Sequence, residues 1–406
     1  MDNRKMFLKG IAVGMVIFIA GNFLFTGLQN AYNRATFGGL VTSGRVRDMS
    51  PEQKIGEIMH VLDRYFVSEL DREAMKEGMF TGLVYGVGDP YTTYMSRETL
   101  TAFFERSSGE YAGIGVVVAT DPEDNRIQVR SVFPGSPGER AGLLIGDKII
   151  RVNGFNVNGR AQEDAVSMIK GEPGTIVELT IFRELNRETF DVTVVRDRIS
   201  VPTISHEMLE EGLGYIRISG FDEVTYGQFM TALNDLRQQD LRGLIIDVRN
   251  NPGGLLHTVV AITNELIPEG IIVYTEDKAG NREYAYSNSN HLDVPLVILV
   301  NEHSASASEV LSGAVRDSGT GRLVGTQTFG KGLVQSLIRL TDGSGLKVTT
   351  AKYFTPSGIC INGEGLTPDY VVEMDNEKTV NLANLPRYED IQLQKAIEVI
   401  QAAMGF

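Results

Sequence analysis

Two segments hold the residue types that acyl-transfer chemistry needs: residues 301–309, NEHSASASE, and residues 328–335, TFGKGLVQ. Ser306 is a candidate nucleophile and Lys331 its candidate general base, because a serine hydroxyl reacts well only when a neighbouring group takes its proton. A lysine can do this only when neutral, which requires a desolvated pocket that favours the uncharged amine. Gln335 is a candidate hydrogen-bond partner that would fix the direction of that amine. The ordinary readings are simpler. Ser306-Ala307-Ser308-Glu309 satisfies the capping-box pattern of a helix start, and a lysine between Gly330 and Gly332 is a turn residue. Small side chains around Ser306 nevertheless leave room for a substrate backbone, and a helix N-terminus favours a developing oxyanion. A third segment, residues 249–254, reads RNNPGG; its glycines are either a strand-to-helix turn or amides presented at a helix N-terminus.

These residues need a scaffold of strands followed by helices. A strand is expected at Leu213-Gly214-Tyr215-Ile216-Arg217-Ile218, a helix over 226–238 and an apolar strand at Leu244-Ile245-Ile246 that runs into RNNPGG. An apolar helix follows over 255–266, and Pro295-Leu296-Val297-Ile298-Leu299-Val300 reads as a buried strand delivering the chain into NEHSASASE. Alternating strands and helices imply an α/β layer arrangement. Residues 390–404 form an amphipathic helix with Ile391, Leu393, Ala396, Ile397 and Ile400 on its apolar face. It would dock on the body or on another subunit, so a homodimer is a candidate assembly.

Between residues 107 and 197 the chain changes to short β-type runs punctuated by glycine, interrupted by one helix near 161–170. With SPGERAGLLIGDKIIRVNG at its centre, this block resembles a PDZ domain, in which Gly113-Ile114-Gly115-Val116 stands for the carboxylate-binding loop. Successive amides in such a turn can cradle a terminal carboxylate while the adjacent strand edge accepts an extended peptide.

SASASE, TFGKGLVQ, RNNPGG, the PDZ-like block, GDPYTTYMS at 88–96 and AKYFTPSG at 351–358 together resemble the C-terminal processing peptidases, or tail-specific proteases. The resemblance implies a serine endopeptidase with a Ser–Lys dyad and no metal or other cofactor. Ser306 would be nucleophile, Lys331 base and Gln335 the residue supporting the lysine. Amides of Ala307 and of the Gly253-Gly254 pair would form the oxyanion hole, with the contributing glycine left open. Substrates would be proteins with apolar or unstructured C-terminal tails. Two rivals stand beside this reading: a non-catalytic, membrane-tethered PDZ adaptor that only binds tails, and a serine enzyme using His303 or His257 as base.

Composition narrows the alternatives. The 406 residues suit two or three domains, and 38 Lys+Arg against 52 Asp+Glu argue against a nucleic-acid partner. A single cysteine, Cys360, excludes an internal disulfide framework and a cysteine-rich zinc site; it reads as a packed small hydrophobe. Arg4, Lys5 and Lys9 precede an uncharged run over 10–28, which is expected to be an uncleaved single-pass anchor in the cell membrane with the catalytic part outside the cytoplasm. The expected order is a multidomain α+β and α/β chain. It has a cytoplasmic tail (1–9), a transmembrane helix (10–28), a linker (29–49), a helical arm (50–106) and a PDZ-like β domain (107–197), followed by an α/β protease core (198–375) and a C-terminal helical region (376–406).

Overall fold

The computed structural model describes residues 48–157, 162–380, 382 and 385–405; the expected anchor at 10–28 lies outside them. Among the described residues no helix is long and apolar enough to cross a membrane. The chain divides into two compact units, Met1–Met75 and Lys76–Phe406. In the first, the helix Pro51–Tyr65 starts where Ser50, Pro51 and Glu52 predict: Ser50 Oγ accepts the Gln53 N–H, and Gln53 Oε1 accepts the Ser50 N–H at 3.1 Å. A second helix, Arg72–Tyr85, follows.

In the second unit, the expected α/β layers are a six-stranded sheet. Leu213–Ile218, Gly243–Asp247, Leu296–Val300, Gly321–Gly325 and Tyr370–Val371 lie parallel in that order, with Ile204–Met208 antiparallel at one edge. The strands read as unbroken apolar runs because both faces are covered. Leu244, Ile246, Ile298 and Val300 pack with the helices Thr225–Gln238, Leu256–Asn264 and Ala307–Asp317. The alternate residues Ile245, Val297 and Leu299 pack against Leu393, Ala396 and Ile400 of the C-terminal helix Ile391–Met404. Burying each of these Leu, Ile and Val side chains contributes about 1.5–3 kcal/mol. Because Gly243–Asp247 and Leu296–Val300 are parallel neighbours, the segments that follow them, RNNPGG and NEHSASASE, leave the sheet at the same edge. In open α/β sheets that is the edge where ligands bind.

A buried polar knot ties this edge to the far end of the chain. Arg249, at the end of its strand, bonds Asp247 Oδ2 at 2.6 Å, Asp390 Oδ2 at 2.7 Å and Gln392 Oε1 at 3.0 Å, while Tyr215 donates to Asp247 at 2.7 Å. Asp390 also caps the C-terminal helix through the Leu393 N–H.

A second sheet is built on the long strand Gly345–Phe354, which pairs with Leu333–Arg339, Thr93–Met95 and Gly270–Asp277; the last pairs with Arg282–Ser287. The middle block forms its own antiparallel sheet of Val116–Thr120, Ile127–Val132, Lys148–Val152, Ile176–Arg183 and Glu188–Val195. Ile127, Val129, Ile149, Leu179 and Ile181 make its core with Ala165 and Ile169 of the helix Gln162–Ile169. Its entry and exit, Glu110–Gly113 and Asp197–Ser200, pair as a two-stranded ribbon. Cys360 is half-buried and forms an isolated bridge with Phe354.

Candidate active site

Ser306, Ala307, Gly254, Lys331 and Gln335 line one cavity of about 290 Å³, whose apolar walls include Leu255, Val310, Leu333 and Tyr353. Gly253 does not line it but lies directly behind the serine. A Cβ added there would stand 2.8 Å from Ser306 Cβ and 3.0 Å from the Ala307 nitrogen, so only glycine lets the two turns approach this closely.

The turns are fastened by side chains the sequence did not single out. Asn250 and Asn301 exchange bonds: the Asn250 N–H donates to Asn301 Oδ1 at 2.9 Å, and Asn301 Nδ2 to Asn250 Oδ1 at 2.7 Å. Ser304 Oγ donates to the Val248 carbonyl and Ser308 Oγ to the Asn251 carbonyl, at 2.8 and 2.9 Å. Asn251 Oδ1 accepts the Gly253 N–H at 2.9 Å, so that amide is already used. The amides of Gly254 and Ala307 have no acceptor among the described residues.

Ser306 stands immediately before its helix with φ +56° and ψ −113°, a conformation that costs a non-glycine residue about 1–3 kcal/mol. Only half of the expected capping box is clear: Glu309 Oε2 accepts the Ser306 N–H at 2.8 Å, while the Glu309 N–H donates to the Ser306 carbonyl at 2.9 Å. The Ser306 side chain instead lies against the hydroxyl of buried Tyr353, which also donates to the Lys331 carbonyl. Burial holds that phenol well above its ordinary range, so it stays protonated.

The Lys331 amine lies over the Tyr91 ring, 4.8 Å from its centroid, and makes no hydrogen bond among the described residues. Burial depresses its pKa below the usual lysine value; the Lys347 ammonium, which lines the same cavity, pushes the same way, and Glu309 opposes them. Gln335 faces the cavity, but its Nε2 donates to the Leu333 carbonyl at 3.2 Å rather than supporting the lysine. Neither histidine of the rival reading lines the cavity. His257 meets Glu223 at 2.9 Å on the surface, and His303 is exposed beside Glu302. In the middle domain, Gly113 ends one strand and Val116 starts the next. Between them the Ile114 and Gly115 carbonyls accept the Gly138 and Phe133 amides at 2.7 and 2.9 Å, which shapes the expected loop.

Comparison with known proteins finds three matching family models: Peptidase family S41 over residues 212–372, PDZ domain over 101–182 and the N-terminal domain of the activating protease CtpB over 17–99. A carboxy-terminal-processing protease of Bartonella bacilliformis is 33% identical over 366 residues, covering 88% of this chain and 82% of its own. The carboxyl-terminal-processing protease of Synechocystis is 36% identical over 322 residues, 78% of this chain and 75% of its own. Carboxy-terminal processing protease CtpA of Bacillus subtilis is 33% identical over 369 residues, with 90% and 75% covered. Among solved structures, a putative S41 protease from Bacteroides fragilis shares the fold at TM-score 0.53 and 16% identity, covering 88% of this chain and all of its own.

Proposed function

This chain belongs to the carboxy-terminal-processing proteases, serine-type peptidases of family S41 that carry a PDZ domain, and from that membership we propose a Ser306–Lys331 dyad as its engine. The observation that carries the reading is one cavity that holds both side chains, with burial lowering the pKa of the amine. Ser306 Oγ attacks the scissile carbonyl as Lys331 takes its proton. Lys331 then gives that proton to the leaving amine, and water releases the acyl group. The amides of Gly254 and Ala307 receive the oxyanion, while Gly253 supplies the close approach that sets them beside the serine. The arrangement described above is a resting one. Lys331 must swing from Tyr91 toward the hydroxyl, and Gln335 must leave the Leu333 carbonyl to steady it.

The substrates are proteins whose C-termini are held at Gly113-Ile114-Gly115-Val116, with apolar or unstructured tails, and the uncharged run over 10–28 anchors the enzyme in the cell membrane with this site outside the cytoplasm. The PDZ-like module supports the first statement and the flanking Arg4, Lys5 and Lys9 the second. Ser306→Ala and Lys331→Ala in the full chain should each lower turnover of an unstructured, apolar-tailed protein by about 10⁴- to 10⁶-fold, and the double change by hardly more, because the pair acts as a unit. Near-parental cleavage by either variant rejects the dyad. Tail binding by the parent without any cleavage would instead favour the adaptor.

A further inference from the structure

Glu309 occupies the third position of the helix Ala307–Asp317, where a glutamate ordinarily serves only the amide of the residue before the helix. Here its fully buried carboxylate is shared between two loops. Oε2 accepts the Ser306 N–H at 2.8 Å and the Lys331 N–H at 2.9 Å, so a single atom joins the backbones of the two reacting residues. Oε1 accepts Thr328 Oγ1 at 2.6 Å and the Gly330 N–H at 2.8 Å. Thr328 Oγ1 in turn accepts the Leu366 N–H at 2.7 Å, which carries the tether into the following loop. A buried carboxylate must be compensated, and among the described residues Glu309 has no ion pair. Four donors compensate it instead, as charge-assisted bonds stronger than neutral ones. Helix capping explains one of the four; the other three come from the segment that carries the lysine.

On the reading that Ser306 and Lys331 form the dyad, we propose that Glu309 is the positioning residue of the reaction. It sets the separation of nucleophile and base by holding both backbones on one oxygen, and it keeps Ser306 in its positive-φ turn. A glutamine in its place would retain only one oxygen; its amide N–H groups would confront two of the four donors, whichever way it turned. The charge matters as well as the shape. Lys331 faces Lys347 from the strand Gly345–Phe354, the rings of Tyr91 and Tyr353, and Asp222 across the cavity. Glu309, behind the Lys331 backbone, favours the protonated amine, and Lys347 opposes it.

The test uses the purified full chain, comparing Glu309→Gln, Glu309→Asp, Ser306→Ala and Lys331→Ala. Glu309→Gln should lower kcat about 10²-fold, as displacement of reacting groups by about 1 Å does, with KM nearly unchanged. It should also move the acid limb of the kcat/KM profile to lower pH, because removing the anion eases loss of the lysine proton. Glu309→Asp retracts the carboxylate by one methylene and should lower kcat with the acid limb in place. A folded Glu309→Gln enzyme with kcat near that of the parent overturns the proposal. So does one with reduced kcat and an unmoved acid limb, since a merely structural role leaves the titration alone. If Glu309→Gln does not fold, Glu309→Asp decides: reduced kcat with KM and melting temperature near those of the parent supports the proposal, whereas parental kcat, or a loss of kcat that comes with a lowered melting temperature, overturns it. Activity surviving Ser306→Ala or Lys331→Ala rejects the dyad itself, whereas activity lost in those two but kept in Glu309→Gln rejects only the role of Glu309.

Discussion

Gly253→Ala would measure how tightly the glycine pair must lie against the nucleophile. The added Cβ would stand 2.8 Å from Ser306 Cβ, 2.8 Å from the Ala305 carbonyl oxygen and 3.0 Å from the Ala307 nitrogen. Ordinary contact begins at 3.4 Å, so the two turns must part by about 0.6 Å (3.4 − 2.8) where the reaction occurs. Neither turn is free to yield, because Asn250, Asn301, Ser304 and Ser308 bond them together. The φ of +105° at this position adds a backbone cost of about 1–3 kcal/mol for any L side chain. Since a misplacement of about 1 Å costs about 10²-fold, kcat should fall between about 10- and 10²-fold while KM changes little. Initial rates on a disordered apolar-tailed substrate, together with thermal melting, would read both effects. Gly280→Ala is the matched control: its φ is +86°, but its Cβ would meet nothing within 4 Å, so it should lower the melting temperature and leave kcat alone. A Gly253→Ala enzyme within about twofold of the parent, or a Gly280→Ala enzyme equally impaired, would refute the reasoning.

Lys347→Gln removes the second ammonium from the cavity. The Lys331 amine should then hold its proton to higher pH, and because the base works only when deprotonated, the acid limb of kcat/KM should move up in pH. An unmoved or lowered limb contradicts the placement. Arg249→Met leaves two carboxylates, Asp247 and Asp390, buried without their cation, and breaking a buried pair in this way costs about 3–5 kcal/mol. Denaturant unfolding at neutral pH should show that loss. It should shrink toward acid pH, where Asp247, held below the usual carboxylate range by Arg249 against the cost of its burial in the parent, takes up a proton. A loss under about 1 kcal/mol would mean that the knot is dispensable.

The parts of this fold that were legible in the letters are those whose pattern is set by burial on known faces. Leu244-Ile245-Ile246 and the run ending at Val300 are apolar throughout because helices cover both sides, and that continuity announces a central parallel strand. Ser50, Pro51 and Glu52 announce a helix by local chemistry alone. The hairpins around Gly270–Asp277 and Leu333–Arg339 gave little signal, since the first strand mixes buried and exposed residues, the second is half-buried or exposed throughout, and the sheet leans on stacked rings such as Tyr274 with Phe354. The site divides the same way. Ser306, Lys331 and the glycines stand in short motifs, so their candidacy was visible. What fastens them was not. Glu309 bonds a loop 22 residues away, and Asn250 bonds Asn301 across 51 positions, partnerships that exist only once neighbouring strands have been laid side by side. The Lys331 amine over Tyr91 depends on a residue 240 positions upstream (331 − 91), and no local pattern connects them.

The knot at Arg249 bears on when the enzyme comes into being during synthesis. Its guanidinium, beside the strand that feeds the glycine pair, needs a carboxylate 141 residues further along the chain. While a ribosome is still making those residues, the lower face of the sheet has no helix to close it and the arginine has only one of its two acidic partners. Because translation supplies Asp390 and the helix Ile391–Met404 after every residue that lines the cavity, the sheet that carries the site is closed only once that helix has been made.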